Sequence, residues 1–100
     1  MFEKLDFGRG VITYNDFHIE TELSFKEEDD LLKEDMFQVE YPNNYVIDVG
    51  WYSGVKKFII FIIKDYNWEE PILKNFYSNL NSLDAGMEEC ISMVNQLINK

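Results

Sequence analysis

The chain has 100 residues, a formal net charge of −10 at pH 7 and 46% hydrophobic residues. This length predicts a single domain, residues 1–100, and this apolar content excludes a disordered chain. The negative charge disfavours binding to nucleic acid and to anionic membranes, and it favours a basic protein partner. Cys90 is the single cysteine, so no internal disulfide can form, and the first residues are polar and mixed. Both features predict a cytoplasmic protein.

The first third of the chain predicts two strands. Residues 11–14 form the first, which ends at a turn made by Asn15 and Asp16. Residues 17–25 alternate between apolar and polar side chains, a pattern typical of a strand with one buried face. The buried face would carry Phe17, Ile19, Thr21, Leu23 and Phe25. The exposed face would carry His18, Glu20, Glu22 and Ser24. Residues 26–35 fit either a loop or a short helix.

The middle of the chain predicts the centre of a sheet. Residues 36–41 alternate as a strand and are followed by turn residues. Residues 45–52 and 55–63 are β-rich runs around Ser53 and Gly54, and a two-residue turn there would place Tyr52 opposite Val55. Residues 58–63 are all β-branched or aromatic, so we expect this strand, including Phe61, to be buried on both faces.

The last third predicts an edge strand and then a helix. Residues 72–77 suit either structure, and an edge strand is preferred. Residues 83–98 show helical periodicity, with Asn81 or Ser82 as the cap and Asp84 in the first turn. The apolar stripe consists of Leu83, Met87, Cys90, Ile91, Val94, Leu97 and Ile98. This stripe needs a cover, and the apolar face of the sheet supplies one. The predicted fold is α+β, an antiparallel β-meander of five to six strands with a C-terminal amphipathic helix packed on one face.

The inventory of reactive side chains argues against an enzyme. The chain has one histidine, one cysteine and one arginine, and none has a visible catalytic partner. We expect His18 to be an ordinary surface residue and Cys90 to act as a small hydrophobe on the helix stripe. No glycine-rich phosphate loop and no zinc-ligand spacing is present, and the acidic stretches lack the alternating ligands and central glycine of a calcium loop. We therefore expect no cofactor and no bound metal.

The first candidate binding surface is an acidic stretch. Residues 20–40 contain nine acids and two lysines, so −7 of the net charge of −10 lies in one fifth of the chain. The stretch is either a solvated acidic loop or a docking surface that speeds association with a basic protein. The acids proposed for partner contact are Glu20, Glu22, Glu27, Glu28, Asp29, Asp30, Glu34 and Asp35.

The second candidate surface combines acids with aromatic side chains around the hairpin and the loop that follows it. Asp48 is an acid inside an apolar strand. It either faces solvent, bonds a neighbouring strand, or forms an interface anchor together with exposed aromatic residues. The residues proposed for partner contact here are Asp48, Trp51, Tyr52, Asp65, Trp68, Glu69 and Glu70.

Several short motifs resemble those of small acidic bacterial immunity proteins of toxin–immunity systems. They are Ile-Asp-Val-Gly-Trp-Tyr at 47–52, Phe-Ile-Ile-Lys-Asp at 61–65, Asn-Trp-Glu-Glu-Pro at 67–71 and Ser-Leu-Asp at 82–84. The resemblance covers residues 46–98 and implies a sheet with a packed C-terminal helix. It also implies a non-enzymatic inhibitor that binds a cognate basic toxin, often a nuclease, and covers the toxin's active site with acidic side chains.

Two other function classes remain open. A phage or mobile-element anti-defence protein could present carboxylates in place of DNA phosphates, and a long acidic row with the spacing of a duplex backbone would favour it. A structural subunit of a larger assembly would instead expose a large apolar patch on the meander. The identity of the partner and the oligomeric state do not follow from the sequence.

Overall fold

The computed structural model describes residues 2, 4–19 and 32–99. Within these residues, five strands lie in one antiparallel sheet, and each pairs with its neighbour in the chain. The strands are β1 (Val11–Asn15), β2 (Phe37–Tyr41), β3 (Tyr45–Tyr52), β4 (Lys57–Lys64) and β5 (Leu73–Tyr77), and the helix α1 (Leu80–Ile98) follows them. The predicted α+β meander with a C-terminal helix is confirmed, and residues 73–77 form the preferred edge strand.

Helix α1 covers one face of the sheet and closes the core. Eight residues of the helix are buried, at the spacing of a single stripe. They pack with the core-facing side chains of the central strands, which are Phe37, Val39, Tyr41, Ile47, Val49, Trp51, Phe58, Ile60 and Ile62. Phe2, Phe17 and Ile19 join the same core from the N-terminal part of the chain. Among the described residues, no helix is both long and apolar enough to cross a membrane.

The start of α1 differs from the prediction. The cap is Asn79, whose side chain accepts a hydrogen bond of 2.8 Å from the backbone nitrogen of Ser82. The predicted cap at Asn81 or Ser82 is therefore wrong, and the first turn contains no acid, so Asp84 lies beyond it. An asparagine oxygen satisfies one of the free N–H groups that begin a helix, and with Asn79 as the cap the helix begins at Leu80, three residues before the predicted start.

The turn between β3 and β4 is longer than predicted. Tyr52 pairs with Lys57 and not with Val55, so residues 53–56 form a four-residue loop. The backbone nitrogen of Val55 donates a hydrogen bond of 3.2 Å to the carbonyl of Tyr52, which places Val55 inside the turn. Within this loop, Lys56 adopts the left-handed backbone conformation. The pairing is displaced by two residues, and because side chains alternate with period two, each keeps its predicted face.

Residues 17–25 do not behave as one strand over their described part. Phe17 and Ile19 are buried, as the alternation predicted, but residues 16–19 are irregular and pair with no strand. Their backbone is held instead by a hydrogen bond of 2.8 Å from the nitrogen of Asp16 to the carbonyl of Met36. The rest of the predicted strand, residues 20–25, lies outside the described residues.

Strand β4 is buried on both faces only in part. Ile59 and Ile63 are buried on the face opposite α1, as predicted. Phe61 points to the same face and is only half-buried, so its predicted burial is wrong. Ile91 of α1 is buried.

Candidate functional site

One side chain from each strand contributes to a row that crosses the sheet on the face opposite α1. Residues paired directly across neighbouring strands point to the same face. Asp48 alternates with Ile47 and Val49, which belong to the helix-covered core, so the row faces away from the helix. The row, called here the cross-strand row, runs Tyr14, Gln38, Asp48, Phe61 and Lys74.

One end of this row opens into a groove of about 480 Å³ that we call the acidic groove. Asp35, Glu40 and Asp48 supply three carboxyl groups, and no lysine or arginine of the described residues lines it. The remaining lining residues are Thr13, Tyr14 and Gln38. The groove therefore presents carboxylates together with neutral hydrogen-bonding groups.

Asp48 is the electrostatic centre of the groove. Its side chain is only 4% exposed, and the amide nitrogen of Gln38 donates a hydrogen bond of 3.0 Å to one carboxylate oxygen. Burial raises the pKa of Asp48 to about 6, and the negative charge of Asp35 acts in the same direction while the Gln38 bond opposes it. No cation lies within ion-pairing distance of Asp48 among the described residues. At neutral pH the groove thus contains a largely ionised and poorly hydrated carboxylate.

Tyr52 adds a neutral hydroxyl beside these acids. Burial raises its pKa to about 12, and the negative charges of Asp48, Glu34 and Asp35 contribute to the increase. Its ring packs edge-on against Phe61, with 5.9 Å between the ring centroids. Tyr52 therefore keeps its proton and remains a hydrogen-bond donor at neutral pH.

Gly50 allows the segment before β2 to approach β3 closely. A Cβ atom built on Gly50 would lie 1.8 Å from the carbonyl oxygen of Glu34. The backbone nitrogen of Trp51 donates a hydrogen bond of 2.7 Å to the carbonyl of Lys33, which fixes the segment along β3. The approach brings Glu34 close to β3 and places the next residue, Asp35, in the groove. The sequence signal for such a contact is an isolated glycine within a strand.

The aromatic residues predicted to contact a partner lie in different places. Trp51 is 4% exposed and packs edge-on against Phe58 in the core, with 5.0 Å between ring centroids. Its predicted role as an exposed anchor is therefore not met in the folded chain. Trp68 is 47% exposed in the loop after β4. Asp65, Glu69 and Glu70 are also exposed in that loop and do not line the groove.

The predicted acidic stretch is described only in part. Glu34 and Asp35 are exposed, and both lie close to β3. Six of the predicted contact residues lie outside the described residues, and they are Glu20, Glu22, Glu27, Glu28, Asp29 and Asp30. Within the described part of the chain, no three His, Cys, Asp or Glu side chains are grouped as metal ligands.

The far end of the cross-strand row is apolar and cationic. The ammonium nitrogen of Lys74 lies 5.7 Å from the ring centroids of both Phe61 and Phe76. Phe76 is exposed, so this half of the face combines accessible aromatic surface with a positive charge. The sheet face opposite α1 is therefore electrostatically asymmetric, with acids over β2 and β3 and a lysine over β5.

His18 forms a small polar cluster away from the groove. Its ring contacts Asp16 at 2.7 Å, and Lys33 binds the same carboxylate at 2.5 Å. The hydrogen bonds from Lys33 and His18 lower the pKa of Asp16 from its ordinary value. His18 is exposed. The ion pair between Lys33 and Asp16 connects residue 16 to the segment before β2.

Sequence reasoning identified Asp35 and Asp48 but missed the other groove residues. Gln38 and Glu40 alternate with buried side chains in β2, which was the available signal for their outward direction. Thr13 and Tyr14 enter the groove through the pairing of β1 with β2, which no local pattern specifies.

Comparison with known protein families, curated proteins and solved structures found no match to this chain.

Proposed function

We propose that the protein is a non-enzymatic binding protein that inhibits a basic protein partner, in the manner of an immunity protein that neutralises a cognate toxin. The observation that carries this proposal is Asp48, a nearly buried carboxylate that lines an acidic groove and has no cation beside it among the described residues. The proposal includes a cytoplasmic location and the absence of a cofactor. The resemblance of residues 46–98 to immunity proteins supplies the class of partner, a basic toxin that is often a nuclease.

A lysine or arginine side chain is the group that the groove fits best. Folding has already removed most water from Asp48, so an arriving cation restores a charge-assisted hydrogen bond without a further large loss of carboxylate hydration. The same cation would lower the pKa of Asp48 towards its ordinary range. A guanidinium can bond two acceptors at once, and Glu40 lines the groove together with Asp48.

The exposed loop after β4 supplies a second contact in this proposal. Trp68 is a large exposed aromatic side chain and Asp65, Glu69 and Glu70 surround it in sequence. Tryptophan is enriched among residues that dominate binding energy, whereas exposed rim acids act mainly on the rate of association. Trp68 would therefore slow dissociation, and the three acids would guide the partner.

The described surface favours a protein partner over mimicry of DNA. A DNA mimic would present acids in a long row with the spacing of phosphates. The cross-strand row contains one carboxylate, Asp48, and ends in Lys74. A concave acidic groove of limited size suits a few basic side chains better than the surface of a duplex-binding protein.

The test uses purified catalytic domains of basic toxins, beginning with any that is encoded next to this gene, with toxin activity and binding kinetics as readouts. The variant Asp48→Asn keeps the size of the side chain and removes its charge, and we expect its dissociation constant to rise by about tenfold or more. Asp84→Asn on α1 is the matched control, because it makes the same chemical change far from the groove. Equal effects of both variants, or unchanged inhibition by Asp48→Asn, would contradict the proposal.

A further inference from the structure

Strand β1 is an exposed edge of the sheet. It pairs with β2 on one side, and all five of its residues are exposed. Within the described part of the chain, no backbone hydrogen bond outside the sheet involves residues 11–15. The outward N–H and C=O groups of β1 have no backbone partner among the described residues, so they can pair with another strand.

The sequence of β1 lacks the charged and proline residues that protect many edge strands. Natural edges carry lysine, proline or inward-pointing charges that prevent pairing with another chain. Strand β1 reads Val-Ile-Thr-Tyr-Asn and contains none of these, while Val11, Ile12 and Tyr14 expose large side chains. The opposite edge, β5, carries Lys74 at its second position.

The irregular pairing of β1 joins this edge to the acidic groove. The register shifts between Ile12 and Tyr14, so Thr13 is an extra residue in the strand. Such a bulge bends the strand and redirects a side chain. Thr13 and Tyr14 both line the groove, so a strand added beside β1 would lie along the groove's rim.

Charge decides which occupant this edge accepts. A second copy of the chain would bring two molecules of net charge −10 together with their acidic grooves facing the same contact. Like charges on neighbouring strands destabilise pairing. A basic segment from another protein would instead be attracted to this edge, because its lysines or arginines would lie beside Asp35 and Glu40.

We propose that β1 accepts an extended basic segment of the partner protein as a sixth strand, whose cationic side chains reach the acidic groove. This inference rests on the proposed function for the charge of the partner. Neighbouring strands lie about 4.8 Å apart, so an added strand lies about 9.6 Å from β2. The combined length of a lysine or arginine and of Glu40 covers that separation. Main-chain hydrogen bonds supply affinity in this mode of recognition, and the alternate side chains supply specificity.

The test uses a capped peptide of alternating lysine and valine and a second peptide with the same sequence and every backbone nitrogen methylated. Both have the same charge, but only the first can donate main-chain hydrogen bonds. We expect the first to bind and to protect β1 amides from hydrogen exchange, with the methylated peptide at least about tenfold weaker. NMR titration measures both dissociation constants.

Two protein variants separate the edge from general electrostatics. Ile12→Lys places a cation on β1 away from the groove, because Ile12 pairs with the core residue Val39, whereas Val55→Lys adds the same charge in the loop between β3 and β4, where Val55 is also exposed. We expect Ile12→Lys to weaken binding of the unmethylated peptide by about tenfold and Val55→Lys to weaken it far less.

Three results would overturn the inference. Equal binding of the two peptides would mean that charge alone attracts them, which contradicts strand addition and leaves the proposed basic partner intact. Absence of binding by both peptides would also reject strand addition, while the toxin assay with Asp48→Asn tests the proposed function separately. A concentration-dependent dimer that protects β1 would show that the occupant is a second copy of this chain.

Discussion

Gln38 and Asp48 face each other across β2 and β3, and the Gln38 amide donates a hydrogen bond of 3.0 Å to the Asp48 carboxylate. The bond offsets only part of the effect of burial, because the pKa of Asp48 remains raised to about 6. The fold therefore retains, in the middle of its sheet, an ionised group that a neutral residue of the same shape would replace with a gain in stability.

The variant Asp48→Asn should make the protein more stable at neutral pH. The pKa of Asp48 is higher in the folded than in the unfolded protein, so ionisation of Asp48 destabilises the folded state. The free energy of unfolding therefore falls as pH rises from about 4 to about 6. Above this window the variant should gain about 2–3 kcal/mol in free energy of unfolding, and below it the difference should vanish. Urea unfolding of both proteins on either side of the window measures the difference. A gap independent of pH would contradict the assignment of the shift to Asp48.

The substitution Gly50→Ala should be strongly destabilising, because the added Cβ would lie 1.8 Å from the backbone oxygen of Glu34. Backbone must move to relieve this overlap, and such overpacking costs about 1–3 kcal/mol or more. Gly54→Ala is the matched control, since a Cβ there meets nothing within 4 Å. We expect a neutral or slightly stabilising effect at Gly54. If the two variants had the same melting temperature, the close contact between Glu34 and β3 at Gly50 would be contradicted.

The two phenylalanines of β4 should differ sharply in their contribution to stability. Phe58 is fully buried between Phe17 and Trp51, with ring centroids 6.0 Å and 5.0 Å away, whereas Phe61 is half-buried on the other face. We expect Phe58→Ala to lower the free energy of unfolding by about 3–5 kcal/mol and Phe61→Ala to lower it by clearly less. Chemical denaturation measures both values. A larger effect at Phe61 would contradict the location of the core on the face of the sheet that α1 covers.

The thiol of Cys90 should be inert in the folded protein. It is 1% exposed, and burial raises its pKa to about 11. Near pH 8 the thiolate fraction falls by about two orders of magnitude relative to an ordinary cysteine, and burial further restricts access. A chromogenic disulfide reagent should react slowly with the native protein and rapidly in concentrated guanidinium. Equal rates in the two conditions would mean that Cys90 is not packed within the helix stripe.

Acids of residues 27–30 should act on association with the partner and Trp68 on dissociation. Replacing Glu27, Glu28, Asp29 and Asp30 by their amides should slow association and weaken its salt dependence, because rim charges steer the encounter. Trp68→Ala should instead speed dissociation and cost about 2 kcal/mol or more of binding free energy. Surface plasmon resonance with the candidate toxin, at low and high salt, separates the two rates. If the amide variant associates at an unchanged rate at low salt, these acidic residues do not steer the partner and serve only solubility.

The sequence predicted the sheet and the helix because their periodicities are local properties. The alternation in residues 45–52 specified which side chains face the core, and it did so even though the turn was predicted two residues too short. The turn itself depends on the left-handed conformation of Lys56, which no residue preference indicates. The helix cap at Asn79 was missed because the apolar stripe that located the helix was read from Leu83 onward.

The acidic groove could be predicted only in part, because it depends on contacts between distant residues. Tyr14 and Gln38 meet through strand pairing, and Glu34 approaches β3 because Gly50 has no side chain. Trp51 illustrates the opposite error. Alternation placed it with Ile47 and Val49, which are core residues, but its aromatic character was interpreted as a binding feature.

The position of α1 in the chain has a consequence for synthesis on the ribosome. The five strands of the described residues all precede α1, so the sheet emerges before this helix can cover the face that includes Phe58, Ile60 and Ile62. Asn95 near the end of α1 then hydrogen-bonds the carbonyl of Phe7 and the amide of Arg9, which joins segments 86–88 residues apart. Until these late contacts form, the nascent chain exposes the apolar face that α1 later covers, so the surface available to chaperones is largest before the helix packs.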